Sequence, residues 1–258
     1  MKIATWNVNS IRQRLEHVRD WLLEAQPDVL ALQEIKVVSE HFPAAEFAAI
    51  GYHCAVDGQK AYNGVALLSR QPPAAVSCGI DGLADEQKRV LAASYDGVRI
   101  VNLYVPNGQS VGSEKYEYKL RWLEALRGQL AGELARHPKL AVVGDFNIVP
   151  EDRDIYDPEA WRGKILCSEP EREQLRALFA LGLVDVFRCL EQPEAAYSWW
   201  DYRAAAFRRN RGMRIDLILA SPALAAKLGA SGIDRGPRGR EKPSDHTPVW
   251  ARFGCGPA

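Results

Sequence analysis

A carboxylate and a carboxamide two residues apart, Asp145 and Asn147, close an apolar run that begins at Leu140. Leu140, Ala141, Val142 and Val143 read as a buried strand that breaks at Gly144. Side chains alternate faces along a strand, so 145 and 147 are expected on one side while Phe146 enters the core. Such a pair at the lip of a sheet can orient a water or hold a metal, and folding alone gains little from it. Gly, Asp and Asn also favour turns, so on this segment alone a plain strand-end turn stays open.

Polar residues collect at several other strand ends. Ile3 to Trp6 lead to Asn7 and Asn9, Val29 to Leu32 lead to Gln33 and Glu34, and Ile100 to Leu103 lead to Tyr104. Asp216 stands inside an otherwise apolar strand, where a carboxylate needs a partner. Asp245 and His246 lie between Pro243 and Pro248, which makes the pair part of a loop. Each has a bland explanation: an Asx-turn at Asn7 and Asn9, a solvated strand end at Glu34, core packing for Tyr104, a surface imidazole at His246. Their conjunction at successive strand ends points to a site.

The elements that must position these groups read as strands at 2–8, 28–34, 64–69, 90–95, 98–105, 140–147, 214–220 and 248–253. Helices are predicted at 12–25, 114–135 and 169–181. The second places Tyr116, Leu120, Leu123, Leu130 and Leu134 on one face, and the third follows a candidate N-cap, Ser168, with Glu169 and Glu171 in its first turn. Strands run from both ends without a linker or repeat. The expectation is an α/β fold in one domain over 1–258, with two packed sheets covered by helices.

Bulk properties fit a soluble protein, since no apolar run approaches the ~20 residues of a membrane span and the start lacks a signal-peptide pattern. Five scattered cysteines (54, 78, 167, 189, 255) without CxxC spacing speak against a disulfide framework or zinc cluster and for a reducing cytoplasm. Net charge is zero, yet residues 203–242 hold ten Lys/Arg against three acids. A neutral chain with one basic region could turn a positive face to a polyanion.

Taken in order, Trp6-Asn7-Val8-Asn9, Leu32-Gln33-Glu34, Gly64 to Ser69, Asn102 to Pro106, Gly144-Asp145-Phe146-Asn147, Arg214-Ile215-Asp216 and Ser244-Asp245-His246 resemble the exonuclease III family of apurinic/apyrimidinic endonucleases. The likeness covers nearly the whole chain. It implies a four-layered α/β sandwich, with two mixed sheets face to face, helices outside and the active site at one edge. It also implies hydrolysis of phosphodiesters with Mg²⁺, Mn²⁺ being a possible substitute. Glu34 would be the firmest metal ligand, with Asn7, Asn9 and Asp245, and Asp145 and Asn147 nearby, completing or supporting the site. Asp145 would prepare the attacking water, Asn147 would hold the phosphate or the water, and Tyr104 would donate to a phosphate oxygen or help the leaving group. His246, oriented by Asp216, would act as base or electrostatic stabiliser.

The implied partner is damaged double-stranded DNA, met by a monomer that needs neither a membrane nor an obligate protein partner. Residues 197–215 interleave aromatics with arginines, as suits a phosphate backbone flanked by an exposed sugar. Arg208, Arg209 and Arg211 are candidate DNA contacts, as is Arg89. By resemblance, Trp199 and the region of Met213 and Ile215 would form a pocket for an extruded abasic deoxyribose. The balance among abasic-site incision, 3′→5′ exonuclease and 3′-phosphatase activity is set by loops. Rival readings are a specialised 3′-phosphatase or another phosphoesterase of the same superfamily and, more remotely, a DNA-binding protein without catalysis.

Overall fold

The computed structural model describes residues 1–254, so Cys255 lies outside the described residues. In chain order the strands are β1 (Lys2–Asn7), β2 (Val29–Gln33), β3 (His53–Asp57), β4 (Val65–Ser69), β5 (Ala74–Cys78) and β6 (Val90–Tyr95), then β7 (Val98–Tyr104), β8 (Leu140–Asp145), β9 (Val184–Asp185), β10 (Asp216–Ala220), β11 (Leu228–Ile233) and β12 (Val249–Phe253). Helices are α1 (Ile11–Ala25), α2 (Ala44–Ala48), α3 (Glu114–Arg136), α4 (Pro158–Trp161), α5 (Glu169–Ala180) and α6 (Pro222–Ala225). They form two six-stranded sheets, ordered β11-β12-β1-β2-β4-β3 and β5-β6-β7-β8-β10-β9.

Each sheet is antiparallel except for one central parallel pair, β1 with β2 and β7 with β8. A parallel pair needs a crossover, which α1 supplies in the first sheet and α3 in the second. The register aligns the C-terminal ends of each pair: Asn7 opposite Gln33, and Tyr104 opposite Asp145, which also faces Asp216 of antiparallel β10. Crevices beyond the carboxyl ends of parallel strands are where open α/β sheets place ligands. Here two such ends meet, because the sheets pack face to face.

Three apolar clusters account for the layering. Ile3, Ala31, Leu67, Ile100, Val143 and Ile218 are among the side chains that fill the space between the sheets. Trp6, Val18, Trp21 and Leu22 pack α1 on the outer face of the first sheet; Trp122, Leu126, Leu175 and Leu178 pack α3 and α5 on the second. Each fully buried leucine or isoleucine contributes roughly 1.5–3 kcal/mol of transfer free energy. The result is the expected four-layered α/β sandwich, and among the described residues no helix is long and apolar enough to cross a membrane.

The eight predicted strands and three predicted helices are present, with ends moved by a residue or two. Four strands carry too little pattern to be predicted. β5 is exposed at every position, so nothing alternates, and β11 includes Gly229, Ser231 and Gly232. The buried face of α3 also differs from expectation: it includes Lys119 and Glu133, while Leu120 and Leu134 are only partly covered. Both charged groups reach buried counter-ions, Glu171 and Arg99.

Candidate active site

β8 ends at Asp145, and the chain turns there instead of continuing extended. Asn147 adopts φ +49°, and its backbone N–H donates to Asp145 Oδ1 at 2.9 Å, which is an Asx-turn. The Asn147 carboxamide returns beside the carboxylate, with Nδ2 3.3 Å from Asp145 Oδ2 and 3.0 Å from the Val105 carbonyl. Strand alternation is therefore not what pairs 145 with 147, because the strand has stopped; the turn does it. Phe146 is fully buried between them, as expected.

The loop between Pro243 and Pro248 delivers His246 against this turn. Its Nδ1 lies 2.8 Å from Asp216 Oδ2, and its Nε2 faces Asp145 Oδ2 at 3.7 Å. Asp216 is held in turn by Ser198, whose hydroxyl donates to Oδ2 at 2.7 Å and accepts the Ile215 and Asp216 backbone N–H groups. Burial pushes the imidazole toward neutrality, but the Asp216 and Asp145 carboxylates outweigh it and raise His246 to about 10. Burial, with Asp216 and Glu34 nearby, raises the Asp145 carboxyl to about 7 against the opposing pull of His246 and Asn7. The two carboxylates thus favour the imidazolium form of His246, and burial raises the proton affinity of Asp145.

Asn7 joins the two sheets. Its Nδ2 donates to Glu34 Oε1 at 2.8 Å and to Asp145 Oδ2 at 3.0 Å, while its Oδ1 accepts the Asn9 N–H. Glu34 itself has φ +49°, an uncommon conformation for a residue with a Cβ. The Glu34 side chain is 19 % exposed and the hydroxyl of Tyr104 lies beside it, kept protonated by burial and by the Glu34 and Asp145 charges. Lys36, absent from the sequence expectations, bridges Glu34 Oε2 at 2.9 Å and Asn9 Oδ1 at 2.6 Å. Asn9 Nδ2 then donates to Asp245 Oδ1, and Trp199 Nε1 donates to Oδ2. Burial opposes ionisation of Asp245, but His246 and these two donors hold its carboxyl below the usual range.

Two sets of residues offer room for a cation. Ligand atoms of Asp145, Asp216 and His246 lie within 4.8 Å of one another, but a metal there would need the neutral imidazole that the two carboxylates disfavour. Glu34 and Asp145 offer carboxylate oxygens bridged by the Asn7 amide and open to solvent at Glu34, the donor type a hard divalent cation prefers. The residues therefore fit such a cation at Glu34. Lys36 bridges the Glu34 carboxylate and the Asn9 oxygen, so a cation at either would take the place of its ammonium.

The expected DNA contacts divide. Arg208, Arg209 and Arg211 are exposed on the turn-rich loop that leaves Trp200 and returns at Met213. Arg89 is 9 % exposed, donates to Gln87 and to the Tyr104 carbonyl, and stacks on the Tyr104 ring at 4.6 Å. It edges an open cavity of about 870 Å³ shared with Tyr62, Asn63, Tyr104, Asn107 and Lys115. Met213 and Ile215 are corrections: at 0 % and 2 % exposed they pack against Val149, Ile155 and Leu166 and offer no surface to a sugar. Four of the ten Lys/Arg of the basic region are also already engaged. Arg214 pairs with Asp154 and Asp185, Arg240 with Asp20, and Arg235 and Arg238 stack on aromatic rings.

Asn107, Ser198 and Lys36 belong to the site although the sequence does not single them out. Asn107 follows the Tyr104-Val105-Pro106 strand end and donates to Asn147 Oδ1 at 3.1 Å; its place after a polar strand end was the available signal. Ser198 and Lys36 carried none beyond proximity to Trp199 and Glu34.

Residues 4–246 match the Endonuclease/Exonuclease/phosphatase family. Exodeoxyribonuclease III of Haemophilus influenzae is 38% identical over 98% of this chain and 100% of its own. Among solved structures, the 3′ phosphatase NExo from Neisseria, bound to a product DNA hairpin, superposes with a TM-score of 0.97 at 48% identity, covering 99% of this chain and 100% of that one. An AP endonuclease from Archaeoglobus fulgidus gives 0.95 at 42% identity with the same coverage.

Proposed function

The chain belongs to the Endonuclease/Exonuclease/phosphatase family, and on that premise we propose that it is a DNA repair nuclease that hydrolyses phosphodiesters at abasic sites in duplex DNA, with 3′→5′ exonuclease and 3′-phosphatase activity on the same site. The observation that carries the reading is the buried row in which Asp216 is hydrogen-bonded to His246, His246 faces Asp145 across 3.7 Å, and Asp145 accepts from Asn147 and Asn7, set where two parallel strand ends meet. We read the chain as one domain acting as a cytoplasmic monomer.

A phosphodiester resists attack because its charge repels hydroxide, so a catalyst must neutralise the phosphate, activate water and assist the leaving oxygen. In our reading Asp145 takes the proton of the attacking water, a task suited to a carboxylate whose pKa is near the working pH. Asn147 and Asn7 aim that carboxylate, and Asn147 steadies the water. The His246 imidazolium, fixed by Asp216, stabilises charge on the phosphoryl oxygens; its raised pKa makes it a stabiliser and not the base. Tyr104, kept protonated, donates to a phosphate oxygen. Glu34 and Asp145, supported by the Asn7 amide, would hold Mg²⁺ or Mn²⁺, which when bound supplies further neutralisation of the phosphate.

The Arg208, Arg209 and Arg211 rim on one flank, and the Arg89 cavity on the other, would hold the DNA backbone. The test is a side-by-side assay, with Mg²⁺ and with chelator, on a duplex with an internal abasic analogue, a nicked duplex with a 3′-phosphate, and an undamaged blunt duplex. Activity on none of them overturns the reading. A second reading, a specialised 3′-phosphatase, is favoured by the burial of Met213 and Ile215, which leaves no formed pocket for an extruded sugar. It predicts activity on the 3′-phosphate alone.

A further inference from the structure

Lys119 is the one fully buried lysine among the described residues, with no exposed surface at all. An ammonium has three protons to place, and all three are placed here: on the Glu171 carboxylate, on the Asn147 backbone carbonyl at 2.6 Å, and on the Asn107 backbone carbonyl at 3.2 Å. Those two carbonyls belong to the segments that leave β7 and β8 at the active-site end. The same two asparagines are joined through their side chains, Asn107 Nδ2 to Asn147 Oδ1 at 3.1 Å, and Asn147 Nδ2 reaches Asp145. One cation therefore pins the main chain of both segments from beneath while their carboxamides meet above it.

Fold stability alone gives little reason for a charge at this place. Burying an ion pair costs several kcal/mol per ion in desolvation, and apolar residues of similar volume often replace such pairs with no loss. An aliphatic side chain at 119 would continue the face made by Tyr116, Trp122 and Leu123. The main chain is also drawn tightly onto this lysine. Gly108, next to Asn107, has φ +88°, and a Cβ there would lie 3.1 Å from Lys119 Cδ. Asn147, at φ +49°, holds its carbonyl toward the ammonium in a conformation that a residue with a Cβ rarely adopts. Glu171 is fixed independently, since its oxygens accept the Leu166 and Ser168 backbone N–H groups and the Ser168 hydroxyl.

We propose that Lys119 is a positioning residue for the hydrolysis: through the carbonyls of Asn107 and Asn147 it holds the Asn147 carboxamide in register with Asp145. The proposal rests on the function given above. Its test separates turnover from stability by comparing Lys119→Met, Glu171→Gln and the double variant, all assayed well below the lowest melting temperature. Lys119→Met leaves a carboxylate buried without its cation and is expected to lose both Tm and turnover. Adding Glu171→Gln removes that carboxylate and is expected to recover Tm while kcat stays at least about tenfold down, with KM changed by less than about threefold. Glu171→Gln alone keeps the ammonium on both carbonyls and is expected to lower Tm while retaining at least about a third of kcat.

Turnover that follows Tm across the three variants overturns the proposal, as does a double variant with normal kcat. If neither Lys119 variant folds, Glu171→Gln decides, because a loss of kcat in step with its Tm is then the overturning result. The ¹⁵N–¹H₂ signals of the Asn107 and Asn147 carboxamides give an answer without substrate. They are expected to shift in the Lys119 variants and stay close to wild type in Glu171→Gln, and unchanged signals in the Lys119 variants reject the role. Wild-type inactivity on every DNA substrate would instead reject the nuclease reading, while those signals still report on Lys119.

Discussion

His246 Nδ1 lies 2.8 Å from Asp216 Oδ2, both groups being buried, while the other ring nitrogen faces Asp145 at 3.7 Å. An imidazole between two carboxylates keeps its proton, and that proton fixes which residue in this site is left to accept one. In the proposed reading the base role therefore goes to Asp145, with His246 holding its charge beside it.

The first prediction concerns that proton. Burial lowers the His246 pKa, and Asp216 and Asp145 more than restore it, to about 10. A group raised above its unfolded value of roughly 6.5 contributes stability that is fully present below that value and is lost as pH rises through the folded pKa. In chelator-treated protein, NMR titration is expected to show His246 charged through pH 8, and Asp216→Asn to lower its pKa by more than about one unit. The stability gap between wild type and Asp216→Asn should be widest near pH 6 and close toward pH 10. A ring that titrates near 6.5 in both proteins would remove the basis for calling it a fixed cation.

The second prediction separates chemistry from binding. Asp145→Asn keeps the shape and the hydrogen bonds of the Asx-turn but removes the proton acceptor. Turnover is expected to fall about 10²–10⁴-fold, the usual contribution of a positioned base, with the Kd for substrate DNA changed by less than about threefold. Single-turnover kinetics beside a binding titration measure both, and equal losses would sink the assignment.

The reason one part of this site can be read from sequence and another cannot is physical. Glu34, Asp145, Asp216 and His246 stand out because each interrupts an apolar strand or a proline-bracketed loop, where a charge needs a purpose. Lys119 does not, because a lysine on an amphipathic helix is normally read as solvent-facing, and its counter-ion Glu171 doubles as a first-turn acid of α5. Arg214 counts toward a basic surface in the sequence, whereas the fold turns it inward onto Asp154 and Asp185. Met213 and Ile215 differ in the opposite direction: the family resemblance assigned them to a pocket, and the loop folds back to bury them. The same limit applies to β5, whose five exposed residues carry no periodicity because only its edge-to-edge pairing with β6 makes it a strand.

A third prediction tests where the metal is held. Glu34 combines a solvent-facing carboxylate with a hydrogen bond from Asn7, whereas Asp216 has no exposed surface. Chelation is expected to abolish activity and added Mg²⁺ to restore it. Glu34→Gln should weaken the affinity for Mg²⁺ by at least about tenfold, measured by calorimetry on the protein alone, so that the readout does not depend on turnover. Unaltered Mg²⁺ binding in Glu34→Gln, with loss in Asp216→Asn, would move the site to the Asp145–Asp216–His246 group.

The last prediction concerns the substrate surface. Arg208, Arg209 and Arg211 are exposed on the loop that follows the Trp199 segment, which touches His246 through a backbone bridge, and in the proposed reading they meet phosphates of DNA seated over the site. Each phosphate that an arginine neutralises releases condensed counter-ions, and the slope of log K against log salt falls by about 0.9 for every duplex phosphate left without its arginine. Changing all three arginines to glutamine is therefore expected to flatten the slope by up to about 2.7 and to weaken binding alike on damaged and undamaged duplexes. At saturating DNA the turnover should remain within about twofold of wild type, because losing uniform binding raises KM and leaves the barrier from the bound state unchanged. A slope that does not change would overturn this contact and turn the search to the Arg89 and Lys115 cavity.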